Sequence, residues 1–283
     1  MIELLSPAKI NLILHVLFRR TDGFHEIFSI MQTVSLYDRI AWVWRDSGVS
    51  LTADVPGLSC ADDNLIVRAI RVFQRETGIE FGAEVELRKA IPIGGGMGGG
   101  SSNAGTVLQF LNVHFGEPVS PSRLEDIAAG LGSDVPFFLY RGTALVEGRG
   151  EVITPVQSIG RLPLLLINPG FPVPTPMIYG GLNLNLTTPR QPLNIRPASR
   201  VDPAWTALVL DHVSNDLEAV VVQRYPVIGE ALDWLKQNGA CRAIVSGSGG
   251  TVFGVYNSTV LAEEARGAAE RRFQWVRCVE TVD

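Results

Sequence analysis

Cysteine is nearly absent: Cys60, Cys241 and Cys278 are the only three among 283 residues, widely separated and in no CxxC pair. A disulfide framework and a cysteine zinc site are therefore not expected, and the compartment is read as reducing. Histidine is almost as scarce. His15, His25, His114 and His212 form neither HxH nor HExxH, so the spacing speaks against a histidine metal centre. No long basic run occurs and the net charge is -5, so the electrostatic footprint of a nucleic-acid binder is missing. A membrane span is not expected either. The apolar start, MIELLSPAKINLILHVLF, is interrupted by Lys9 and Asn11 and is followed by no small-residue cleavage site. No serine lies between two glycines at the spacing of a nucleophile elbow, which removes the usual serine hydrolase. These absences point to a soluble, cytoplasmic protein whose partners are small polar ligands.

What is present is apolar and glycine-rich. With 46% apolar and 19% charged residues the chain can build a generous core, and its length suits two domains, expected at 1–158 and 159–283. Period-two alternation predicts strands over Ala8–Leu17, Thr33–Arg45 and Ala83–Lys89. Leu65, Ala69, Val72 and Phe73 predict a helix over Asp63–Thr77 closed by Gly78, and Ser120 with Pro121 predicts a second over Pro121–Leu131. Further on come a buried strand at LPLLLINPG, an irregular Pro- and Asn-rich stretch up to Arg200, and a helix over Pro226–Asn238. The tail adds one strand across CRAIVSGSGGTVFGVY, a helix over Val260–Arg272 and a last strand in QWVRCVETV. The fold class read from this order is α+β.

The densest signal is IPIGGGMGGGSSNAG, with glycine at six of the seven positions from Gly94 to Gly100. Glycine loses the most backbone entropy on folding, so such a run needs a reason. It leads into a helix whose apolar face is Ala104, Val107, Leu108 and Leu111, with Ser101 or Ser102 as the expected cap. Unpaired amides at a helix N-terminus bind anions, and phosphate fits. Gly94, Gly96 and Gly99 do match GxGxxG, but the acidic ribose ligand expected about 20 residues later falls in helix end and loop, which weakens a nicotinamide dinucleotide reading. Gly100 is followed directly by Ser101 with no lysine between them, so this is no Walker A loop. Lys9 interrupts a strand and faces the same way as Asn11; the ordinary explanation is a lysine on a solvated strand face. Asp134 falls at a break between elements, where capping a turn is an equal explanation. The second cluster, SGSGG, reads equally as a turn or as a ligand-facing loop.

In order along the chain, SPAKINL, IPIGGGMGGGSSNAG, LGSDVPFFL and SGSGGTVFG resemble the signature of the GHMP superfamily of small-molecule kinases. DGFHEI, DNLIVRA, PTPMIY and SNDLE narrow the resemblance to the branch that phosphorylates the 2-hydroxyl of a cytidine diphosphate derivative of methylerythritol, in the non-mevalonate isoprenoid route. Other members of the superfamily take mevalonate, homoserine or a sugar. The resemblance implies a ribosomal protein S5 domain 2-like N-terminal domain, a ferredoxin-like C-terminal domain, ATP with Mg2+, and a monomer or weak homodimer. By matching positions it implies Asp134 as general base with Lys9 as its partner. It places Asn64 at the adenine and Pro92, Ile93, Gly94, Gly95, Gly96, Met97, Gly98, Gly99, Gly100, Ser101 and Ser102 around the phosphates. Phe24 and Tyr179 are expected to stack on cytosine, His25 to read its polar edge, and Asn11 and Thr175 to complete the substrate shell. The chain departs from the pattern at Phe24 for tyrosine, Met97 for leucine, Ser133 and Gly105 for alanine, and SGSGG for SGTGA.

Overall fold

Two long strands organise the chain in a computed structural model that describes residues 1–182 and 202–283: β1, Ile2–Arg19, and β2, His25–Arg45. The last part of the Pro- and Asn-rich stretch lies outside the described residues. By internal contacts the chain forms two units. One holds Met1–Ala8, Leu36–Ile91 and Gly98–Tyr140; the other holds Lys9–Ser35, Pro92–Met97 and Arg141–Asp283.

In the first unit, β3 (Val49–Ala53) runs parallel to β4 (Gly82–Arg88), and β4 runs antiparallel to the far half of β2, with Arg39 opposite Arg88. Three helices contact one another beside them: α1 (Leu65–Thr77), α2 (Gly99–His114) and α3 (Pro121–Leu131). The short α4, Phe137–Tyr140, packs on α2. Local chemistry explains the ends of α1. Asn64 accepts from the Ile66 amide at 2.9 Å as N-cap, and Gly78 leaves the helix at φ 69°, a left-handed conformation that favours glycine. The face carrying Ile66, Ile70 and Phe73 joins Trp42, Leu108 and Leu111 in one apolar cluster. Truncating Phe73 to alanine there costs about 3–5 kcal/mol.

In the second unit the near half of β2 pairs antiparallel with β5 (Thr143–Gly148), which pairs with β6 (Val152–Pro155). Strand β8, Ser214–Asn215, lies parallel to β1 at Ile13 and Leu14. A separate antiparallel sheet has the order β11 (Trp275–Glu280), β7 (Pro163–Asn168), β10 (Val252–Val255), β9 (Arg242–Val245). Between β7 and β8 lie α5 (Thr175–Gly180) and α6 (Pro203–Asp211), and α7 (Glu218–Arg224) follows β8. Helices α8 (Pro226–Gln237) and α9 (Thr259–Ala269) pack against the four-stranded sheet.

Three expectations change. The stretch from Cys241 is not one strand but the antiparallel hairpin β9–β10, turned by Ser246–Gly250. Helix α2 begins at Gly99 with Gly98 as cap, so Ser101 and Ser102 lie inside its first turn or just past it. Lys9 is not on a solvated face, because β1 is buried on both sides around it and the residue is 3% exposed. A strand covered on both faces loses the alternation by which a sequence reveals exposure.

Candidate active site

Residues 89–103 are divided between the units, and the bonds that hold each part are described within its own unit. In the first, the buried Asp38 carboxylate accepts from the amides of Ala90 and Ile91, both at 2.9 Å, from Asn103 Nδ2 at 3.0 Å and from the Lys89 ammonium. A buried carboxylate with a cation and three further donors is fully satisfied, and here it fixes the backbone just before Pro92. Ser6 donates to the Ser102 hydroxyl at 2.7 Å and receives Asn103 Nδ2 at 2.9 Å, so Ser102 is buried in this network while Ser101 is half-buried.

In the second unit, four successive carbonyls of the stretch accept from protein. Gly94 O takes the Val173 amide, Gly95 O the Thr251 amide, Gly96 O the Ser246 hydroxyl and Met97 O the Lys9 amide, each at 3.1 Å. The Gly95 amide goes to Pro92 O at 3.3 Å, but the amides of Gly94, Gly96 and Met97 have no acceptor among the described residues. Positive φ at Gly94, Gly96 and Gly98, with Gly95 and Met97 outside that region, is the alternation that turns successive amides into an anion-binding concavity. Within the first unit, the opening turn of α2 leaves the amides of Gly99, Gly100 and Ser101 without an intrahelical acceptor. Gly96 shows why a side chain is excluded: its φ is 75°, and a Cβ would stand 2.2 Å from Ser246 O. Met97 is buried and Ile93 is exposed.

The second unit also holds the polar pair predicted on β1. Lys9 Nζ donates to Asn11 Oδ1 at 2.6 Å, Asn11 Nδ2 to Ser29 Oγ at 2.9 Å, and Ser29 Oγ to Ile13 O at 2.6 Å. Lys9 Nζ lies 3.3 Å from where a Cβ on Gly247 would be, so the lysine, Asn11 and the SGSGG turn share one location. Thr175, first in α5, shares a hydrogen bond of 2.7 Å with Ser248 of that turn.

Phe24 sits on a turn between β1 and β2. Arg20 bonds Asp22 at 3.0 Å and Glu26 at 2.6 Å, and the Phe24 amide donates to Asp22 at 3.1 Å. The ring is 48% exposed, and the Arg149 guanidinium stands 4.9 Å from its centroid. His25 and Tyr179 bring their rings to 5.2 Å. Burial first, then the charge of Arg19, holds the His25 imidazole below its ordinary value of 6.5. In the first unit Asn64 has both ends of its amide engaged, Oδ1 on Ile66 and Nδ2 on Ser59 O at 2.6 Å. Asp134 occupies the turn between α3 and α4, partly exposed. Arg149 and Ser29 were not singled out from sequence. A lone arginine or hydroxyl carries no local signal of a contact made across the chain.

Set against known proteins, residues 64–142 match the model for the GHMP kinases N terminal domain, and residues 206–274 that for the GHMP kinases C terminal. A 4-diphosphocytidyl-2-C-methyl-D-erythritol kinase of Geobacter metallireducens is 42% identical over 95% of this chain and 93% of its own. The chain belongs to the GHMP kinases. A kinase of the same description from Syntrophus aciditrophicus is 38% identical with both chains covered in full. Among solved structures, a 4-(cytidine 5'-diphospho)-2C-methyl-D-erythritol kinase superposes on this GHMP kinase with a TM-score of 0.83 at 30% identity, again with both chains covered in full. A homoserine kinase from Cytophaga hutchinsonii shares the fold, with a TM-score of 0.71 at 19% identity over 99% of this chain and 94% of its own. The expected α+β kinase architecture is thus borne out. Among the described residues no helix is long and apolar enough to cross a membrane.

Proposed function

We propose that this GHMP kinase transfers the γ-phosphoryl group of ATP to the 2-hydroxyl of 4-diphosphocytidyl-2-C-methyl-D-erythritol, with Asp134 as general base, Lys9 as its cationic partner, and residues 1–158 carrying most of the nucleotide contacts. The observation that carries the reading is the division of labour in the glycine stretch. Four of its carbonyls are committed to protein while the amides of Gly94, Gly96 and Met97 remain to receive phosphate oxygens. Those amides, with those of Gly99, Gly100 and Ser101, position the nucleotide and stabilise charge that develops on the transferred group, the main requirements of phosphoryl transfer. The substrate oxygen attacks phosphorus, the bond to the β–γ bridging oxygen breaks, ADP leaves, and the hydroxyl proton passes to the Asp134 carboxylate. The Ser101 hydroxyl and the Asp134 carboxylate are hard oxygen donors of the kind magnesium takes, and the ion neutralises phosphate charge when bound with the nucleotide. Cytosine stacks on Phe24 and Tyr179, and neutral His25 reads its polar edge, with Asn11 and Thr175 completing the substrate shell. The substrate assignment is supported by relatives at 38–42% identity that bear that description over nearly the whole chain.

The test is ADP release coupled to the cytidine diphosphate substrate. Asp134→Ala, checked as folded by circular dichroism, is expected to lose about 10²–10⁴-fold in turnover. Wild-type-like turnover in that variant removes the base. Turnover of mevalonate or homoserine in place of the cytidine compound removes the substrate assignment.

A further inference from the structure

The motif SNDLE, Ser214–Glu218, has no part in the chemistry above, yet its side chains grip the SGSGG turn. Asn215 is 8% exposed and donates both amide hydrogens to loop carbonyls, Val245 O at 2.8 Å and Gly247 O at 2.7 Å. Its Oδ1 accepts from the Leu217 amide at 2.9 Å, so the side chain is locked in one orientation. Glu218 Oε2 accepts from the Val245 amide at 3.1 Å. Asp216 ties the same segment to β1: its amide donates to Leu14 O and its Oδ2 accepts from the Val16 amide, both at 2.9 Å. The gripped turn holds the phosphate stretch in its turn, through Ser246 Oγ on Gly96 O and the Thr251 amide on Gly95 O.

We infer that Asn215 and Glu218 are positioning residues for phosphoryl transfer, acting through the Ser246–Gly250 turn to hold the amides of Gly96 and Met97 in register with Lys9 on β1. The continuous set of bonds from the motif to the turn to the glycine stretch lies inside one unit, as does the Lys9 amide on Met97 O. Burial pushes the Glu218 carboxyl above its ordinary range, which agrees with a group kept for its acceptor geometry more than for its charge. A shift of about 1 Å in a group that positions substrate can cost on the order of 10²-fold in rate, so a brace two hydrogen bonds from the glycine stretch is expected to register in turnover.

The inference rests on the kinase reading and is tested on the full chain in the same assay. Asn215→Asp keeps the side chain's shape but turns lone pairs on Val245 O and Gly247 O. It is expected to lower kcat about 100-fold and to leave KM for the cytidine substrate within about 3-fold. Amide hydrogen exchange at Ser246–Gly249 is expected to accelerate about 10-fold or more in the folded variant. Glu218→Gln keeps the acceptor and is expected within about 3-fold of wild-type kcat, whereas Glu218→Ala falls about 10-fold. The conservative pair decides the matter even if Asn215→Asp fails to fold. Wild-type kcat in Asn215→Asp, or equal loss in Glu218→Gln and Glu218→Ala, overturns the inference. Failure of the wild-type chain to turn over the cytidine compound fails the substrate reading instead, and the exchange measurement still reports on the brace.

Discussion

Gly94–Gly100 and Ser246–Gly250 look alike on paper, two short tracts rich in glycine, yet their backbones are used in opposite ways. The first gives four carbonyls to protein and leaves the amides of Gly94, Gly96 and Met97 without acceptors among the described residues. The second gives amides away: Ser246 donates to Thr251 O at 2.9 Å and Gly249 to Ser246 O at 3.0 Å, while the carbonyls of Val245 and Gly247 are held by Asn215. In the proposed kinase reading, one tract is a receiver for negative charge and the other a support for it. Glycine serves the receiver by allowing alternate signs of φ, and serves the support by close approach, since a Cβ on Gly250 would lie 2.8 Å from Gly95 Cα.

The comparison breaks first at Gly96. Gly96→Ala places a methyl 2.2 Å from Ser246 O at a φ of 75°, a conformation costing an alanine about 1–2 kcal/mol before the clash is counted. The loop must move, and turnover is expected to fall at least about 100-fold with ATP binding weakened in parallel. Unchanged steady-state kinetics in this variant would mean that the amide concavity is not where phosphate sits.

A smaller effect is expected from Ser246→Ala, which removes only the hydroxyl 3.1 Å from Gly96 O. The carbonyl becomes unpaired, a loss of about 1 kcal/mol that reads as roughly a 5-fold drop in kcat, with the protein still folded. A drop as large as that of Gly96→Ala would show that the second tract also touches ligand, and the distinction between receiver and support would fail.

Local chemistry made part of this legible in the sequence. Asn64 with Gly78 brackets α1 because capping involves neighbours a few residues away, and Pro121 opens α3 by its fixed φ although Ser120 makes no side-chain capping bond. Lys9 and Asn11 were readable as facing the same way, and the structure bonds them, but their burial depends on elements that no local pattern announces. The same applies to Asn215, whose partners lie 30 and 32 residues further on. The hairpin β9–β10 was read as one strand because the residues flanking its turn, Ile244, Val245, Val252 and Phe253, are buried and apolar, leaving only the glycines to mark the turn. At α2 the rule favouring serine caps lost to Gly98, whose φ of 69° brings the chain into the helix from the left-handed region.

The turn proposed to bind cytosine makes its own hydrogen bonds through Arg20, Asp22 and Glu26, which a pH series can exploit. His25 is held below 6.5 by burial, so the unfolded chain takes up its proton first as pH falls. Below 6.5, therefore, folding and base recognition both lose a small contribution, and KM for the cytidine substrate is expected to rise as pH falls through the depressed value. His25→Gln is expected to flatten that acid-side rise while leaving KM for ATP unchanged. A KM for ATP that follows the same curve would tie the turn to the phosphate loops and blur the comparison.

The smallest effect tests whether need for glycine is a property of the tract or of the residue. Gly130 in α3 and Gly267 in α9 have no positive φ, and a Cβ at either would meet nothing within 4 Å. In a helix interior an alanine there reduces the freedom of the unfolded chain and is expected to stabilise by about 0.4–1 kcal/mol per site. For a chain of this size that is a rise of roughly 1–4 °C in Tm, with kcat and both KM values unchanged. Calorimetry on the two single variants gives the baseline against which Gly96→Ala is judged. If these exchanges also slow turnover, the cost at Gly96 cannot be assigned to the collision with Ser246 O, because glycine would then matter where nothing crowds it.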